Sequence, residues 1–346
     1  MPEIVFESPE RQLLIERHAS PPPGFVDLLS RVIWGTGAVR YTMRDVPERI
    51  TEFAGSHFLA LRERGALVGT YVLAPRTLRV AGHTIPAMYR TLLAVAPGRG
   101  QGGLGEVLVR AARRWMLEQA DGPFMTYGFI EAENAASLAV AERAGHEAWG
   151  AFVAAPFTRW HPRDDGRVEE ELAPSDASPG DNLGAVVFEG GPGQGTSPRF
   201  VLREAGEVVA SARAVQHHWA LHGLGGVSGF VARSVLPRTP GLRRLLDPDD
   251  LRFAFFGSVA VAPGCEPLLA RLLEAVLARW NLYAGMVYLD PRGRSHAALR
   301  QSGLGLLHGL GVRPRVHVMG SAVRLSAEVA AALREQPFVL HFADDV

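Results

Sequence analysis

The sequence predicts an α/β protein of the α+β type, with two tandem domains that each carry a mixed, mostly antiparallel sheet flanked by helices. Three observations support this fold class. The chain has 346 residues, enough for about two domains. Alternating apolar strands joined by short turns precede a long amphipathic helix. The same order of elements then occurs a second time, which indicates a duplicated domain.

Composition excludes several function classes. The chain has 36 Lys and Arg and 36 Asp and Glu, so it offers no electrostatic reason to bind nucleic acid or an anionic membrane. No apolar run reaches the roughly 18 residues of a membrane span, and the acidic N-terminus lacks a signal-peptide pattern. We therefore expect a cytoplasmic protein, of open oligomeric state. The single cysteine, Cys265, excludes an internal disulfide and a multi-cysteine zinc site.

The first predicted domain, residues 1–160, opens with strands and helices in alternation. Pro21–Pro23 precede an apolar-periodic stretch, which favours a helix beginning just after them. Turns at Arg62–Gly65 and Ala81-Gly82 separate alternating apolar strands. The predicted elements are a strand at Gln12–Glu16, helices at Phe25–Val32 and Val46–Phe53, and strands at His57–Leu61, Leu67–Leu73, Thr77–Val80 and Ile85–Val95.

A glycine-rich loop follows, and then the domain closes. Apolar residues at i, i+3 and i+4 predict an amphipathic helix from Leu104 to Gln119 with a core-facing stripe. A strand at Phe124–Ile130 comes next. Asn134–Ala144 is a predicted helix ended by Gly145, and Phe152–Phe157 is a closing strand.

The composition changes at residues 161–198, which we interpret as a linker. Its later part, about 174–198, is rich in Pro, Gly and Ser and is predicted to be a mobile loop whose only apolar break is Ala185–Phe188. The second domain, residues 199–346, has predicted strands at Phe200–Leu202 and Val208–Val215. A loop rich in Gly and His then leads to a strand at Phe253–Val261.

The two domains repeat each other. Val95–Gly98 recurs as Val261–Gly264, and each copy continues with an amphipathic helix that ends in Arg-Trp. A strand with Met-x-Tyr and a short helix closing on Gly145 or Gly303 follow in both copies. The second copy is degenerate, because Cys265–Leu268 stands where the first copy has its glycine loop.

The loop between Val95 and Glu106 is the main functional signal. Glycines at a strand-to-helix junction expose backbone N–H groups at the positive end of a helix dipole, which suits a phosphate or pyrophosphate. Gly100-x-Gly102-x-x-Gly105 matches a dinucleotide fingerprint, which leaves a nicotinamide-dependent enzyme as one alternative. However, antiparallel hairpins precede the loop, and no Gly-Lys-Ser/Thr follows to make a Walker P-loop.

Pro97–Gly105 resembles the acyl-coenzyme A loop of the GNAT N-acetyltransferase superfamily, and Asn134–Gly145 resembles its later Asn-helix-Gly motif. The resemblance covers about 12–157, and about 199–325 only through the repeat. It implies two tandem GNAT-like domains, the first of which binds acetyl-CoA or another acyl-CoA as co-substrate. The cofactor-binding residues implied are Leu93, Val95, Arg99, Gly100, Gln101, Gly102, Gly103, Leu104, Gly105 and Asn134.

The same resemblance implies acyl transfer, most simply of acetyl, to a primary amine of a small molecule or peptide. The N–H of Val95 would polarise the thioester carbonyl. The family's common catalytic Glu and Tyr correspond to Thr91 and Ala141, which leaves a non-catalytic scaffold as a second alternative. Among possible bases, Tyr127 and Glu131 are our candidate catalytic residues.

Two further features complete the expectations. The apolar tail Phe338–Phe342 is predicted to dock as a strand, which would allow the terminal carboxylate of Val346 to reach a cleft. His217, His218 and His222 lie close together but lack carboxylates at ligand spacing, so we predict no metal site.

Overall fold

A computed structural model of the chain describes residues 2–36, 39–171, 184–190, 197–224, 242–302, 314–341 and 344. These residues contain sixteen strands and seven α-helices. The strands are β1 (Glu3–Ser8), β2 (Leu13–His18), β3 (Val39–Met43), β4 (His57–Glu63), β5 (Ala66–Val80), β6 (His83–Val95), β7 (Phe124–Glu131), β8 (Glu147–Thr158), β9 (Val168–Glu171), β10 (Val186–Gly190), β11 (Arg199–Glu204), β12 (Glu207–Leu224), β13 (Leu251–Val261), β14 (Ala284–Leu289), β15 (Arg315–Val323) and β16 (Phe338–Val339). The helices are α1 (Phe25–Arg31), α2 (Val46–Thr51), α3 (Leu104–Glu118), α4 (Ala135–Arg143), α5 (Glu266–Arg279), α6 (Arg294–Gln301) and α7 (Ala327–Glu335).

The sheet is nearly symmetric about its centre. Its main order is β1-β2-β4-β5-β6-β7-β15-β8-β14-β13-β12-β11-β9. Along this order only β6 with β7 and β13 with β14 are parallel pairs. Each half therefore contributes an antiparallel series that ends in one parallel pair, which confirms the predicted mixed sheet. The fold differs from the parallel sheet that a dinucleotide-binding domain requires.

The two halves exchange their central strands. β8 comes from the first half of the sequence but lies between β14 and β15, with Thr158 opposite Ala284. β15 comes from the second half but lies between β7 and β8, with Gly320 opposite Tyr127. Residues 1–160 and 199–346 thus share one sheet, so the predicted boundaries mark the sequence repeat rather than two separate sheets.

Two strands lie within the predicted linker, residues 161–198. β9 pairs with β11 at the edge of the second half. β10 pairs with β5 of the first half and with β16 near the chain end. The prediction of a loop is wrong for β10, because Val186 and Phe188 are buried and their burial favours an ordered strand. Residues 172–183 and 191–196 of the predicted loop lie outside the described residues.

The segment after Val215 was predicted to be a loop because it is rich in Gly and His, but β12 continues through it to Leu224. His217 pairs with Phe253 and Trp219 with Leu251 on β13. His217 and Trp219 point inward and are buried. Two inward-facing aromatic side chains therefore outweigh the polar composition of this strand.

Three hydrophobic clusters hold the molecule together. One lies beneath α3, and a second lies beneath α5 in the equivalent place of the other half. The third is shared by both halves and includes Tyr89, Tyr127 and Phe255. α3 buries the apolar stripe that its spacing predicts, including Leu108 and Trp115. In the described part of the chain, no helix is long and apolar enough to cross a bilayer.

Candidate active site

A cleft opens where β6 and β7 separate. The two strands pair in parallel up to Tyr89 and Tyr127 and then diverge. Gly128 stands at the point of separation, where a Cβ would lie 2.7 Å from the carbonyl oxygen of Arg90. A cavity of about 160 Å³ begins here. Its walls include Thr91–Leu93, Phe129–Glu131, Asn134, Ala141, Trp34 and Arg49.

One cleft wall carries a β-bulge. The register between β5 and β6 shifts opposite Thr70 and Val72, which leaves Leu92 and Leu93 outside the regular ladder. Leu92 has φ of 51°, a left-handed conformation that costs a non-glycine residue about 1 kcal/mol or more. Both residues line the cavity, and the cofactor-binding role of Leu93 stays a prediction. The bulge therefore presents irregular main chain to the cleft.

Val95 lies beyond this bulge. It stands opposite Gly69 in the ladder and packs its side chain in the cluster beneath α3. Val95 is not among the described residues that line the cavity. The irregular main chain at the cavity belongs to Leu92 and Leu93, and the role predicted for the Val95 N–H stays a prediction.

The loop after β6 leads to an uncapped helix. Gly98 and Gly103 have φ of 82° and 67°, and Gly100–Gly102 form a short 3-10 turn between them. No side chain caps α3, and the N–H groups of its first turn have no acceptor within the helix. A Cβ at Gly100 or Gly103 would meet no atom within 4 Å. This helix end is therefore open to an anion, which its dipole favours.

No family model matches the sequence, and no curated protein matches it significantly. Solved structures do match. Saccharomyces cerevisiae N-myristoyltransferase with bound myristoyl-CoA is similar at a TM-score of 0.55 and 9% identity, over 93% of this chain and 84% of that chain. A tandem GNAT protein from the clavulanic acid biosynthesis pathway is similar at a TM-score of 0.51 and 13% identity, over 91% and 99%. This chain has the tandem GNAT fold. These matches confirm the predicted fold class and duplication. Because the sequence identities are only 9% and 13%, the matches show the fold and do not show an activity.

Within this GNAT fold, several predicted cofactor residues have structural partners. Arg99 forms an ion pair with Glu63. The carbonyl oxygen of Gly102 accepts a hydrogen bond from Arg11 Nη2 at 3.0 Å, and Leu104 is buried in the core.

Asn134 caps α4, because its Oδ1 accepts from the N–H of Ser137 at 3.0 Å. Gln101 is described by its backbone only. Gly100, Gly103 and Gly105 remain the open positions of the loop.

Glu131 ends β7 and lines the cavity. Its Oε2 accepts hydrogen bonds from the N–H and the hydroxyl of Thr36 at 2.7 and 2.6 Å. Among the described residues that line the cavity, it is the only carboxylate. Thr91 and Ala141, which replace the usual GNAT catalytic side chains, also line the cavity. Glu131 is therefore the candidate general base among these lining residues.

Tyr127 lies behind the cavity rather than in it. Its side chain is fully buried, and its hydroxyl donates to Asp344 Oδ2 at 2.6 Å. Burial, followed by the nearby Asp344 carboxylate, raises the pKa of Tyr127 well above the usual value for tyrosine. The structure therefore does not support the predicted catalytic role of Tyr127. Tyr89, whose ring packs 5.3 Å from that of Tyr127, lines the cavity instead.

Residues 338–339 form a docked strand, as the apolar tail predicts, and Asp344 reaches the first half. Phe338 and Val339 form β16, which pairs with β10. Asp344 is buried and accepts two hydrogen bonds from Arg76, at 2.6 and 2.8 Å. Burial opposes ionisation of Asp344, but the charge of Arg76 outweighs it and holds the pKa of this carboxyl below its usual value. Val346, the predicted alternative base, lies outside the described residues.

Side chains of the second half pack behind one wall of the cavity; that the second domain shapes an acceptor pocket, as the sequence predicts, stays a prediction. β3 pairs with β12, so Tyr41 of the cavity wall stacks on Trp219 with ring centroids 3.8 Å apart. His217 Nδ1 lies 3.0 Å from Asp45 Oδ2, beneath Arg49 of the cavity wall. His218 contacts Asp250 and His222 contacts Thr42, so the three histidines have separate partners rather than a common centre.

Proposed function

We propose that this protein is an acyl-CoA-dependent N-acyltransferase that acts on a primary amine of a small molecule or peptide. The observation that carries the proposal is the juxtaposition of the Leu92–Leu93 bulge with the open N-terminus of α3. The helix end suits the pyrophosphate of the coenzyme, because it offers unpaired N–H groups and no side chain. The bulge suits the thioester arm, because its main chain is free of the regular ladder.

The chemistry follows from this placement. The amine attacks the thioester carbonyl carbon, a C–N bond forms, and the C–S bond breaks to release coenzyme A thiolate. Glu131 removes the proton that the ammonium must lose before attack, directly or through water, and passes it to solvent. The second proton, which the nitrogen loses as the amide forms, goes to the coenzyme A thiolate. Positioning both reactants in one cleft is worth about 7–11 kcal/mol of the barrier in favourable cases.

The size of the cavity favours a short acyl group. Its 160 Å³ is well below the roughly 300–1,000 Å³ of pockets that enclose drug-sized ligands. An acetyl group fits this volume better than a long chain does. The N-myristoyltransferase that shares the fold was solved with myristoyl-CoA, so acyl length is expected to differ between the two proteins.

Gly105→Glu tests the proposed coenzyme site. Gly105 is the second residue of α3, and a Cβ there would lie 3.8 Å from Val95 Cγ2, an ordinary contact. We expect the added carboxylate to repel the pyrophosphate and lower acetyl-CoA affinity by about 100-fold or more in isothermal titration calorimetry. Stability should hold or rise by a few tenths of a kcal/mol, since Glu suits the first helical turn better than Gly.

Gly122→Glu is the matched control. A Cβ at Gly122 would meet no atom within 4 Å, and this residue lies in the turn before β7, away from the α3 N-terminus. It should leave acetyl-CoA affinity unchanged. Equal binding by the Gly105→Glu variant and the unmodified protein would contradict the proposed site.

A second candidate function is a binding protein that kept the fold without the chemistry. The specific observation in its favour is that Thr91 and Ala141 face the cavity without an ionisable group. A thioester-consumption assay with mixed amines separates the two. Coenzyme binding without turnover would favour the scaffold.

A further inference from the structure

The second half keeps the backbone of a coenzyme cleft. The repeat aligns Val95–Gly98 with Val261–Gly264, which places Ser258 at the position of Leu92. Ser258 has φ of 49°, against 51° for Leu92, and the register of β12 and β13 shifts beside it as that of β5 and β6 does. The bulge has therefore survived in the second copy.

The turn after the bulge has survived as well. Cys265 N–H donates to the carbonyl oxygen of Ala262 at 3.1 Å, as Arg99 N–H donates to that of Ala96 at 3.0 Å. β13 and β14 also form a parallel pair and then separate. The two clefts are thus equivalent in main-chain geometry, and they differ in what occupies them.

In the second cleft, the chain itself contacts the bulge. Ser258 N–H donates to the carbonyl oxygen of Leu340 at 2.7 Å. Two more main-chain contacts fix the same segment: Phe338 N–H donates to Asp290 Oδ2 at 3.0 Å, and Val186 N–H donates to the Pro337 oxygen at 2.8 Å. In the first cleft, no segment of the described chain takes the equivalent place, and the cavity lies there instead.

The helix end of the second cleft is also occupied. Glu266 begins α5, and the repeat aligns it with Gly100 of the open loop. Arg294 Nη1 lies 3.3 Å from its Oε1, and the main-chain N–H groups of Glu266 and Gly264 lower the pKa of this carboxyl. A carboxylate of the chain thus stands at the helix end where an anion would bind in the first copy.

We propose that the second cleft binds the chain's own segment Pro337–His341 in place of a coenzyme, so that each chain binds a single acyl-CoA. The site recognises an extended apolar peptide through main-chain hydrogen bonds and an aromatic anchor. The Phe338 ring stacks on Phe188 with centroids 5.6 Å apart, and Arg292 lies over it. The statement about coenzyme number rests on the proposed function, whereas the docking of the tail does not.

A cavity of about 420 Å³ remains beside the docked segment. Its charged lining is internally paired, because Arg292 Nη2 lies 2.7 Å from Asp290 Oδ2. A second coenzyme would have to displace both the Leu340 carbonyl oxygen and the Glu266 carboxylate. Within the described chain, two of the places that correspond to the coenzyme groups of the first cleft are therefore held by the chain itself.

Titration of the intact protein with acetyl-CoA in a calorimeter tests the coenzyme number. We expect one site per chain, and in Gly105→Glu only that site, weakened by about 100-fold or more. Two sites in the unmodified protein, or a site of unchanged affinity beside the weakened one in that variant, would overturn the inference while leaving acyl-CoA binding in place. Absence of any binding to the unmodified chain would instead refute the proposed function, and the docking would still be tested as follows.

Hydrogen exchange and thiol labelling test the docked tail without a coenzyme. In the unmodified protein, the Ser258 amide should exchange slowly, and exchange at the rate of an unstructured peptide would refute docking. In a Cys265→Ser background, Leu340→Cys should react with a charged maleimide about 100-fold more slowly than Glu335→Cys at an exposed helix end. Adding Phe338→Ala should accelerate labelling of Leu340→Cys, and equal rates at both cysteines in the starting background would contradict the proposal.

Discussion

Glu131 is held in place by the two hydrogen bonds that its Oε2 accepts from Thr36, while its side chain lines the cavity. Glu131→Gln keeps an oxygen for Thr36 and removes the base. We expect kcat to fall by about 10²- to 10⁴-fold, the usual contribution of a general base, with an unchanged Kd for acetyl-CoA. The measurement is steady-state kinetics with a reactive amine beside calorimetry.

Glu133→Gln is the control for Glu131, because Glu133 is exposed two residues further on and does not line the cavity. It should retain the full kcat. A Glu131→Gln variant of unchanged kcat would assign proton removal to another group.

Buried histidines predict a stability that depends on pH. Burial, then the positive charge of Arg90, lowers the pKa of His146 from 6.5 to about 3. Burial likewise lowers the pKa of His341. The unfolded chain therefore takes up protons below pH 6.5 that the folded chain does not, so stability is complete above that pH and is lost as pH falls.

For His146 alone, the loss amounts to roughly 3 kcal/mol at pH 4, since each pKa unit is worth about 1.4 kcal/mol. His146→Phe removes the titrating group, although it also removes the contact of His146 Nδ1 with the Ala141 oxygen. We expect the variant to lose less stability between pH 6.5 and pH 4 than the unmodified protein in urea unfolding. Parallel curves would show that His146 titrates normally in the folded state.

Residues in the site differ in how far sequence could predict them. The glycine loop and Glu131 were found because they sit at fixed positions after recognisable strands. The Tyr127–Asp344 and His217–Asp45 contacts join residues 217 and 172 positions apart. No local pattern encodes such pairs, so Tyr127 was predicted to face the cleft when it is tied to the tail.

At the scale of elements, the separation of β6 from β7 forms the cleft, and Gly128 permits it. A methyl group at Gly128 would lie 2.7 Å from the main-chain oxygen of Arg90, so Gly128→Ala must push the strands apart. We expect a loss of about 1–3 kcal/mol in unfolding free energy and weaker acetyl-CoA binding. Gly122→Ala, at an open position, is the control for both measurements. Unchanged stability of Gly128→Ala would mean that the strands can separate further without cost.

Elements whose apolar residues recur at regular helical spacing were predicted best. α1 and α3 begin at the predicted residues, because their apolar stripes and flanking Pro or Gly residues mark the start. β10 and the end of β12 were missed, since the Gly-rich surroundings of β10 and the Gly and His residues of β12 resemble a loop until distant strands cover them. Pairing across the sheet, rather than local propensity, decides those segments.

At the scale of the whole molecule, the exchange of β8 and β15 makes the halves interdependent. Sequence showed the duplication but not this exchange, because strand order is set by contacts between segments far apart in the chain. Either half alone would leave the edges of a parallel pair open.

Cutting the chain between residues 177 and 178, in the predicted linker, tests this interdependence. We expect neither fragment alone to melt cooperatively, because each lacks the other's central strand. Mixing the fragments should restore one transition and acetyl-CoA binding, followed by circular dichroism and calorimetry. A first fragment that melts cooperatively and binds the coenzyme alone would contradict the expectation, and the uncut protein sets the reference.

The place of β15 also bears on how the protein is made. A ribosome adds roughly 5–20 residues per second, so β15 emerges on the order of ten to thirty seconds after β8. Throughout that interval, the nascent chain carries β7 and β8 with no neighbour between them. Its first 160 residues therefore lack their neighbouring strand until β15 has been made, and they reach their final pairing only after that.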